Sequence, residues 1–199
     1  MDIIGQKLRA ARQEKGLSLR ELASRADVSI SLLSQIENGK STPSVRSLHS
    51  IADALSVPLG YFFPEEDTNG YSADPSSVQA TPLKEQILRF AHRPRLELNE
   101  GIAWMRLTPH EDKDAQFLEL QYDVGASSGA KMSYHRGREF GLVVTGEITV
   151  EIGFEKYVLR EGDSIIFDST RPHRLTNTGS VMAKAIWVVM NNCGDGNGG

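Results

Sequence analysis

Two histidines and one glutamate have the residue types and spacing that could hold a metal ion. His135 and Glu139 stand four positions apart, where one strand is predicted to end and the next to start, and His173 follows in a later strand-rich stretch. Two strand histidines and one carboxylate brought together form the facial triad used for non-haem iron. The same side chains also suit a metal-free ligand pocket, and polar residues satisfied in a barrel mouth are a third interpretation.

Two further polar residues complete the predicted ligand site. Ser133 shares the inward face of its strand with His135, because side chains two positions apart point to the same side, and Asn177 lies four residues after His173. A hydroxyl is a poor metal ligand beside a neutral imidazole. We therefore predict a ligand pocket with the polar contacts Ser133, His135, Glu139, His173 and Asn177. A divalent metal held by His135, Glu139 and His173 is the alternative to a pocket without a cofactor.

The elements that must position these residues are short strands. Beyond residue 83, four segments are rich in Val, Ile and aromatic residues and are separated by Gly-containing turns; they cover residues 116–124, 141–152, 157–167 and 181–190. Strands at this spacing are typical of an all-β sandwich or barrel. Trp104, Phe117, Tyr122 and Trp187 are expected either to line its cavity or to fill its core.

Residues 1–63 instead show the signals of short helices. Ser18 and Glu21 form a capping box before one helix, Ser29 can cap the next, and Thr42-Pro43 is expected to start a fourth. The predicted fold class is therefore α + β. A five-helix unit over residues 1–63 is followed by a Pro-, Ser- and Gly-rich linker over 64–82, a β domain over 83–190 and a disordered tail over 191–199.

The tight turn between the second and third helices is typical of a helix-turn-helix, whose second helix enters the major groove of DNA. A glutamine can bond adenine through both amide groups, and Leu32 could meet a thymine methyl, while residues just after the helix could grip phosphates. The predicted DNA contacts are Ser29, Ser31, Leu32, Ser34, Gln35, Asn38, Lys40 and Ser41. A small helical interaction bundle without DNA is the alternative.

Charge and composition are compatible with this prediction. The 199-residue chain has a net charge of −4, but residues 1–60 carry eight Lys/Arg and six Asp/Glu, so their net charge is +2. A globally acidic protein can still present a basic face. The lone cysteine, Cys193, fits a reducing cytosol. With no signal-peptide pattern and no long apolar run, we expect a cytoplasmic protein without membrane contact.

The helical part resembles the Xre and phage-repressor family of helix-turn-helix domains. The resemblance covers residues 3–63 and is carried by LSLRELASRADVSISLLSQIENGKSTPSVRSLHSIADAL, above all by Ile36-Glu37-Asn38-Gly39 and Pro43. It implies a lambda-repressor-like domain that works as a homodimer and reads a near-palindromic operator in double-stranded DNA.

The β domain resembles the cupin family over about residues 95 to 190. HRGREFGLVVTG is similar to the first motif of that family and GDSIIFDSTRPHRLTN to the second. The resemblance implies a double-stranded β-helix, or jelly-roll, barrel and places His135, Glu139 and His173 on the metal-ligand positions. Ser133 stands where many cupins have another histidine, so the full ligand set of the family is not present.

The whole chain resembles bacterial repressors that sense small metabolites, including the putrescine-utilisation repressor type. This implies a barrel that binds an effector and modulates operator binding, without catalysis. The alternative with the same layout is an iron enzyme of the hydroxypropylphosphonate epoxidase type, since layout alone does not decide function. We favour the regulator because SLLSQIENGKSTPS keeps the DNA-reading pattern. The effector, the operator and the direction of regulation stay open.

Overall fold

The computed structural model describes residues 3–64, 86–99, 101–112 and 114–190. Apart from Pro64, the predicted linker over 64–82 lies outside these ranges, and so does the predicted tail over 191–199. Among the described residues, no helix combines the length and apolar character that a membrane crossing needs. The described part confirms the predicted α + β organisation, with helices first and an antiparallel β domain after them.

Four α-helices and nine strands form the described part. The helices are α1 (Ile3–Glu14), α2 (Leu19–Ala26), α3 (Ile30–Glu37) and α4 (Val45–Leu55), with 3₁₀ helices at Leu59–Phe62 and Phe90–His92. The strands are β1 (Arg95–Leu98), β2 (Ile102–Arg106), β3 (Ala115–Tyr122), β4 (Arg138–Thr145), β5 (Glu147–Ile152), β6 (Glu155–Arg160), β7 (Ser164–Asp168), β8 (His173–Thr176) and β9 (Ala183–Met190).

The helix starts follow local capping signals. The Ser18 hydroxyl accepts the backbone N–H of Glu21, and the Glu21 carboxylate accepts that of Ser18, so the predicted capping box is present. Ser29 caps α3 by accepting the N–H of Leu32. The predicted start of α4 at Thr42-Pro43 is wrong. The helix begins at Val45 because the Ser44 hydroxyl takes the N-cap position.

The helical unit has one apolar core to which every helix contributes. The predicted fifth helix is the 3₁₀ turn Leu59–Phe62, which places Phe62 in that core. Gly5 lets α1 approach the end of α3, because a Cβ at this position would overlap with the carbonyl of Ile36. The most deeply buried side chains of this core are Leu8, Leu22, Leu33, Ile36, Leu48, Leu55 and Phe62.

The β domain is built from two antiparallel sheets. One has six strands in the order β1-β2-β3-β9-β4-β7, and the other has three in the order β6-β5-β8. The four strand-rich segments of the sequence overlap with six of these strands, whereas β1, β2 and β8 lie outside them. The side chains buried in the β domain include Leu118, Leu120, Tyr122, Val143, Ile148, Val150 and Trp187.

The helical unit and the β domain are in direct contact. The backbone N–H of Arg46, in α4, donates to the carbonyl of Ser128 at 3.2 Å, and the N–H of Asn99 donates to the carbonyl of Pro43 at 3.0 Å. These two bonds attach the start of α4 to loops of the β domain. The helix that follows α3 therefore lies against the barrel, while α3 itself does not take part in these bonds.

Candidate functional site

The predicted triad of polar side chains is assembled inside the β domain. His135 precedes β4, Glu139 lies within β4 and points inward, and His173 begins β8. The Nε2 atom of His135 lies 2.9 Å from Oε1 of Glu139, and Nε2 of His173 lies 3.2 Å from the same oxygen. The ligand atoms of all three residues lie within 4.8 Å of one another.

The backbone fixes the orientation of both imidazoles. Nδ1 of His135 lies 3.1 Å from the carbonyl oxygen of Arg136, and Nδ1 of His173 lies 2.9 Å from that of Arg171. Because a carbonyl only accepts, each Nδ1 must carry the hydrogen, and a neutral ring then presents the lone pair of Nε2. In that neutral state both lone pairs face Glu139, whereas a protonated ring donates its Nε2 hydrogen to the carboxylate. Second contacts of this kind are what fix the tautomer of metal-binding histidines.

Glu139 is held from its other side by an aromatic residue. The indole N–H of Trp187 donates to Oε2 of Glu139 at 2.6 Å. Gly141 is required next to this pair, because a Cβ there would overlap with the Trp187 ring. Oε1 of Glu139 is buried and accepts no hydrogen bond when both facing nitrogens are unprotonated. A buried oxygen in this state is costly unless a proton or a cation is shared with it.

The charge of the triad follows from its contacts. Burial alone would raise the pKa of the Glu139 carboxyl, but the hydrogen bonds and charges of His135 and His173 outweigh it and hold that pKa well below its usual range. Burial would lower the pKa of the His135 imidazole, but Glu139 raises it above its ordinary value. The site therefore contains an ionised carboxylate that attracts positive charge.

The donor set fits a divalent metal ion. Two imidazole nitrogens and one carboxylate oxygen suit Zn²⁺ or non-haem iron. Ligand atoms about 2.1 Å from an ion and at right angles to each other stand about 3 Å apart, and the contacts of Glu139 with His135 and His173 measure 2.9 and 3.2 Å. His135, Glu139 and His173 would hold such an ion, which would supply a positive centre with coordination positions left for a ligand.

The cavity around the triad is small. Its volume is about 30 Å³, and its walls include Ser133, Trp104, Tyr122 and Trp187. This is far below the roughly 300 Å³ of a typical small-molecule site, so the space suits an ion or a few waters rather than a metabolite. Phe117, in contrast, is 40% exposed and does not line the cavity.

The other two residues predicted for the ligand pocket, Ser133 and Asn177, lie in different places in the structure. Ser133 lines the cavity, and its backbone pairs with that of His173 through bonds of 2.9 and 2.8 Å. The structure does not bring Asn177 to the cavity. Its side-chain amide donates to the carbonyls of Tyr122 and Val181, and its oxygen accepts the N–H of Gly179. Asn177 therefore closes a turn after β8 instead of contacting a ligand.

His49 is a site residue that the sequence analysis missed. This α4 side chain stacks on the His135 ring, with centroids 4.6 Å apart and planes 8° from parallel, and it meets Trp104 edge-on. Burial lowers the pKa of the His49 imidazole to about 3, and the neighbouring His135 adds to the effect. A neutral ring from the helical unit thus covers the barrel site. No local pattern predicts this, because only packing between domains creates the contact.

The predicted DNA-reading helix keeps its outer face open. Leu33 and Ile36 are fully buried, whereas Ser31 and Gln35 are exposed. Among the other predicted contacts, Ser29, Asn38 and Lys40 are exposed, and Leu32, Ser34 and Ser41 are half-buried. The hydroxyl of Ser29 also caps α3, as described above.

Glu37 and Asn38 anchor the end of α3. The Glu37 carboxylate accepts bonds of 2.6 and 2.9 Å from Arg12 and one of 3.2 Å from Arg9. Asn38 donates to the carbonyl of Ser34 and accepts from Arg9. The predicted phosphate contact Asn38 thus already has partners within the domain. Two arginines of α1 therefore fix the end of α3 through the Glu37 side chain.

Comparisons with known proteins agree with these two parts. Residues 8–62 match the family model described as helix-turn-helix, and residues 118–189 match that of the cupin domain. The HTH-type transcriptional regulator PuuR of Escherichia coli is 25% identical over 184 residues, which cover 92% of this chain and 91% of PuuR. The transcriptional regulator ClgR of Mycobacterium tuberculosis is 43% identical over 58 residues, 29% of this chain and 52% of ClgR.

One solved structure that matches along most of the chain is similar in fold. An HTH_3 family transcriptional regulator from Vibrio cholerae superposes with a TM-score of 0.64 and 22% sequence identity, and the match covers 96% of each chain. At this level of identity the likeness concerns the fold.

Proposed function

We propose that this chain, in which an Xre-type helix-turn-helix domain is joined to a C-terminal cupin domain, is a transcriptional regulator that binds DNA. It works in the cytoplasm as a homodimeric repressor on a near-palindromic operator, and its barrel senses a small molecule. The observation that carries the proposal is the state of α3. Its inner face is fully buried, and its outer face with Ser31 and Gln35 is open to a partner.

The rigidity of α3 supports direct reading of bases. A recognition helix must hold its first turn and outer face in a fixed position in the major groove. The Ser29 cap fixes the start of α3, and the Glu37 contacts with Arg9 and Arg12 fix its end. Gln35 can then offer both amide groups to one adenine, and Lys40 can contact phosphate.

The contact between the barrel site and α4 favours ligand sensing over catalysis. Its triad is covered by His49 of the helical unit, so the state of the barrel site is coupled to α4 by direct contact. A ligand that favours one domain arrangement shifts the population toward it and thereby changes operator affinity. A divalent metal at His135, Glu139 and His173 would act as part of this sensor, because its binding neutralises the carboxylate at its centre.

The outer face of the six-stranded sheet supports the dimer. It exposes Leu142 on β4 and Ile166 on β7, which are 43% and 50% exposed, around a groove of about 410 Å³ that is lined almost entirely by apolar residues. Contiguous apolar surface of this kind marks interaction sites. A near-palindromic operator has two half-sites about 34 Å apart, so reading it requires the two α3 helices of a dimer.

The experiment that tests the proposal is selection of DNA from sheared genomic fragments by the purified full chain at physiological salt. We expect recovery of a short near-palindromic site. Gln35→Ala should weaken binding to it by about 1–3 kcal/mol, and binding should fall steeply with salt. Gln13→Ala, an exposed glutamine on α1, is the matched control. Specific binding that survives changes at both Ser31 and Gln35 contradicts the assigned reading surface.

The second hypothesis is a non-haem iron enzyme of the epoxidase type, and the triad of two histidines and one glutamate is the observation that favours it. The two proposals differ in what depends on iron. An enzyme would select no DNA sequence and would consume oxygen with a small substrate only when loaded with ferrous iron. A regulator would select its operator, with the metal changing only affinity.

A further inference from the structure

We infer that a cleft between α4 and the mouth of the barrel is a binding site for a small zwitterion, a molecule with one ammonium and one carboxylate group. This inference rests on the proposed function, because it assigns a place and a chemical class to the effector. The cleft adjoins the cavity around the metal triad, and the two share the wall residues His49, Leu59, Gln116, His135 and Val189.

The size of the cleft suits a metabolite. Its volume is about 410 Å³, whereas the cavity around the triad has about 30 Å³. Small-molecule sites typically have about 300–1,000 Å³. Both domains form its walls. The helical unit contributes His49, Asp53 and Leu59, and the barrel contributes Gln116, His135 and Arg136.

Opposite charges stand on the two sides of the cleft. Asp53 comes from α4, and Arg136 comes from the loop that precedes β4. Within the described ranges, none of the ion pairs includes either residue. A guanidinium binds carboxylates through two parallel hydrogen bonds, and a carboxylate binds ammonium groups. A zwitterion would satisfy both charges at once, whereas a simple amine or a simple acid would satisfy one.

A polar group without a partner points to the same class of ligand. Oε1 of Gln116 is buried and accepts no hydrogen bond, and Gln116 lines the cleft. Buried side-chain oxygens in folded proteins nearly always have a donor. An ammonium group has three N–H donors, so it keeps donors for a second polar partner after it binds Asp53. The apolar walls at Val57, Pro58 and Leu59 leave room for a short aliphatic chain.

Such a ligand would act on DNA binding through α4. It touches the barrel through Arg136 and the helical unit through Asp53, so it binds tightly only when the two domains stand at one particular separation. The α4 helix shares its core with the recognition helix α3. Couplings between linked sites typically change affinity about five- to 150-fold, and we expect an effect of that size on operator binding.

The test uses the full chain and a panel of free amino acids and ω-amino acids of increasing chain length, with alkylamines and carboxylic acids of the same lengths for comparison. Binding is measured by calorimetry and by thermal melting. We expect at least one zwitterion to bind more than tenfold tighter than the matching amine and acid. Asp53→Asn and Arg136→Gln should each reduce that affinity at least tenfold. The exposed residues Glu161 and Lys156 provide the controls Glu161→Gln and Lys156→Gln.

Two results would overturn the inference. One is the absence of binding by every zwitterion of the panel at millimolar concentration, and the other is binding that the cleft variants leave unchanged. Operator selection by the same proteins separates the two proposals. If the wild-type chain selects its operator but no zwitterion binds, only the cleft assignment fails. If zwitterions bind at the cleft but no DNA sequence is selected, the regulator proposal fails instead.

Discussion

The ring of His49 in the helical unit lies parallel to the ring of His135 in the barrel, with centroids 4.6 Å apart. His135 is also one of the three residues that converge on the buried triad, through its contact with Glu139. The His135 side chain therefore connects the candidate metal site to α4 of the helical unit. Any change in the position of His135 must be accommodated by α4.

Removing this ring should loosen the two domains from each other. We expect His49→Ala to destabilise the docked arrangement by about 1–2 kcal/mol, since an aromatic pair contributes about 0.5–1.5 kcal/mol beyond its buried area. Calorimetric melting should then show separate transitions for the helical unit and the barrel. His49→Phe keeps the stacked ring and should retain most of the coupling.

The matched control is His110→Ala, which removes an exposed histidine of the barrel. This change should leave both melting and operator affinity as in the wild type. Identical unfolding of His49→Ala and His110→Ala would show that the stacked pair does not hold the domains together.

The sequence predicts this site only in part, and the reason is physical. Caps and strand alternation are local, so Ser18, Ser29 and the inward position of Ser133 follow from neighbouring residues. The triad follows from the resemblance to the cupin motifs, because His135, Glu139 and His173 fall on the metal-ligand positions of that family, whereas their spacing alone is a weak signal. Asn177 stands just beyond the end of β8, where the chain turns and uses the amide for its own backbone.

The sequence contains no comparable local pattern that predicts contacts between the two domains. His49 lies on α4 among residues whose spacing is that of an ordinary amphipathic helix, and its partner belongs to the other domain. The cleft that holds Asp53 and Arg136 exists only after docking. Neither charge stands out in the sequence, since charged residues on solvated surfaces are common.

The stability of the helical unit should depend on the negative charge of Glu37, which anchors the end of α3. The Glu37 side chain is 2% exposed and binds Arg9 and Arg12, so Glu37→Gln leaves two guanidinium groups without their anion. We expect a loss of about 3 kcal/mol in the free energy of unfolding of the helical unit, as for a broken buried ion pair. Urea unfolding followed by circular dichroism measures it. Glu14→Gln, at an exposed position of α1, should have almost no effect.

Because of Glu37, the stability of the helical unit should also depend on pH. Burial would raise the pKa of the Glu37 carboxyl, but the bonds from Arg12 and Arg9 outweigh it, so the pKa lies below its ordinary value. Its contribution to stability is therefore complete above the unfolded pKa of about 4.3 and is lost as the pH falls through the lower folded value. Unfolding curves between neutral and acid pH should show this loss in the wild type. In Glu37→Gln the curve should be flatter, and an equally steep curve would assign the effect to other carboxyls.

Metal binding should depend on the triad and on no exposed carboxylate. We expect about one divalent ion per chain by elemental analysis after equilibration with Fe²⁺, Mn²⁺ or Zn²⁺. The bound ion should raise stability by about 2.7 kcal/mol at a concentration one hundred times its dissociation constant, and a chelator should reverse this.

Glu139→Gln keeps an oxygen for Trp187 but removes the charge, and it should abolish binding. Glu97→Gln, at an exposed position of β1, should not, and an ion retained in Glu139→Gln would lie elsewhere.

The apolar face of the six-stranded sheet should hold the dimer together. Ile166 on β7 is 50% exposed beside Leu142 and Val188. Ile166→Asp would bury a charge in an interface between two copies, which is strongly unfavourable without a partner. Light scattering on a sizing column should therefore show monomers for Ile166→Asp and dimers for the wild type. Operator affinity should fall when the dimer is lost, because each α3 helix reads only one half-site. Val158→Asp makes the same change at a 42% exposed position of β6, on the three-stranded sheet, and should leave the dimer intact. A dimer that persists in Ile166→Asp and dissociates in Val158→Asp would move the interface to the three-stranded sheet.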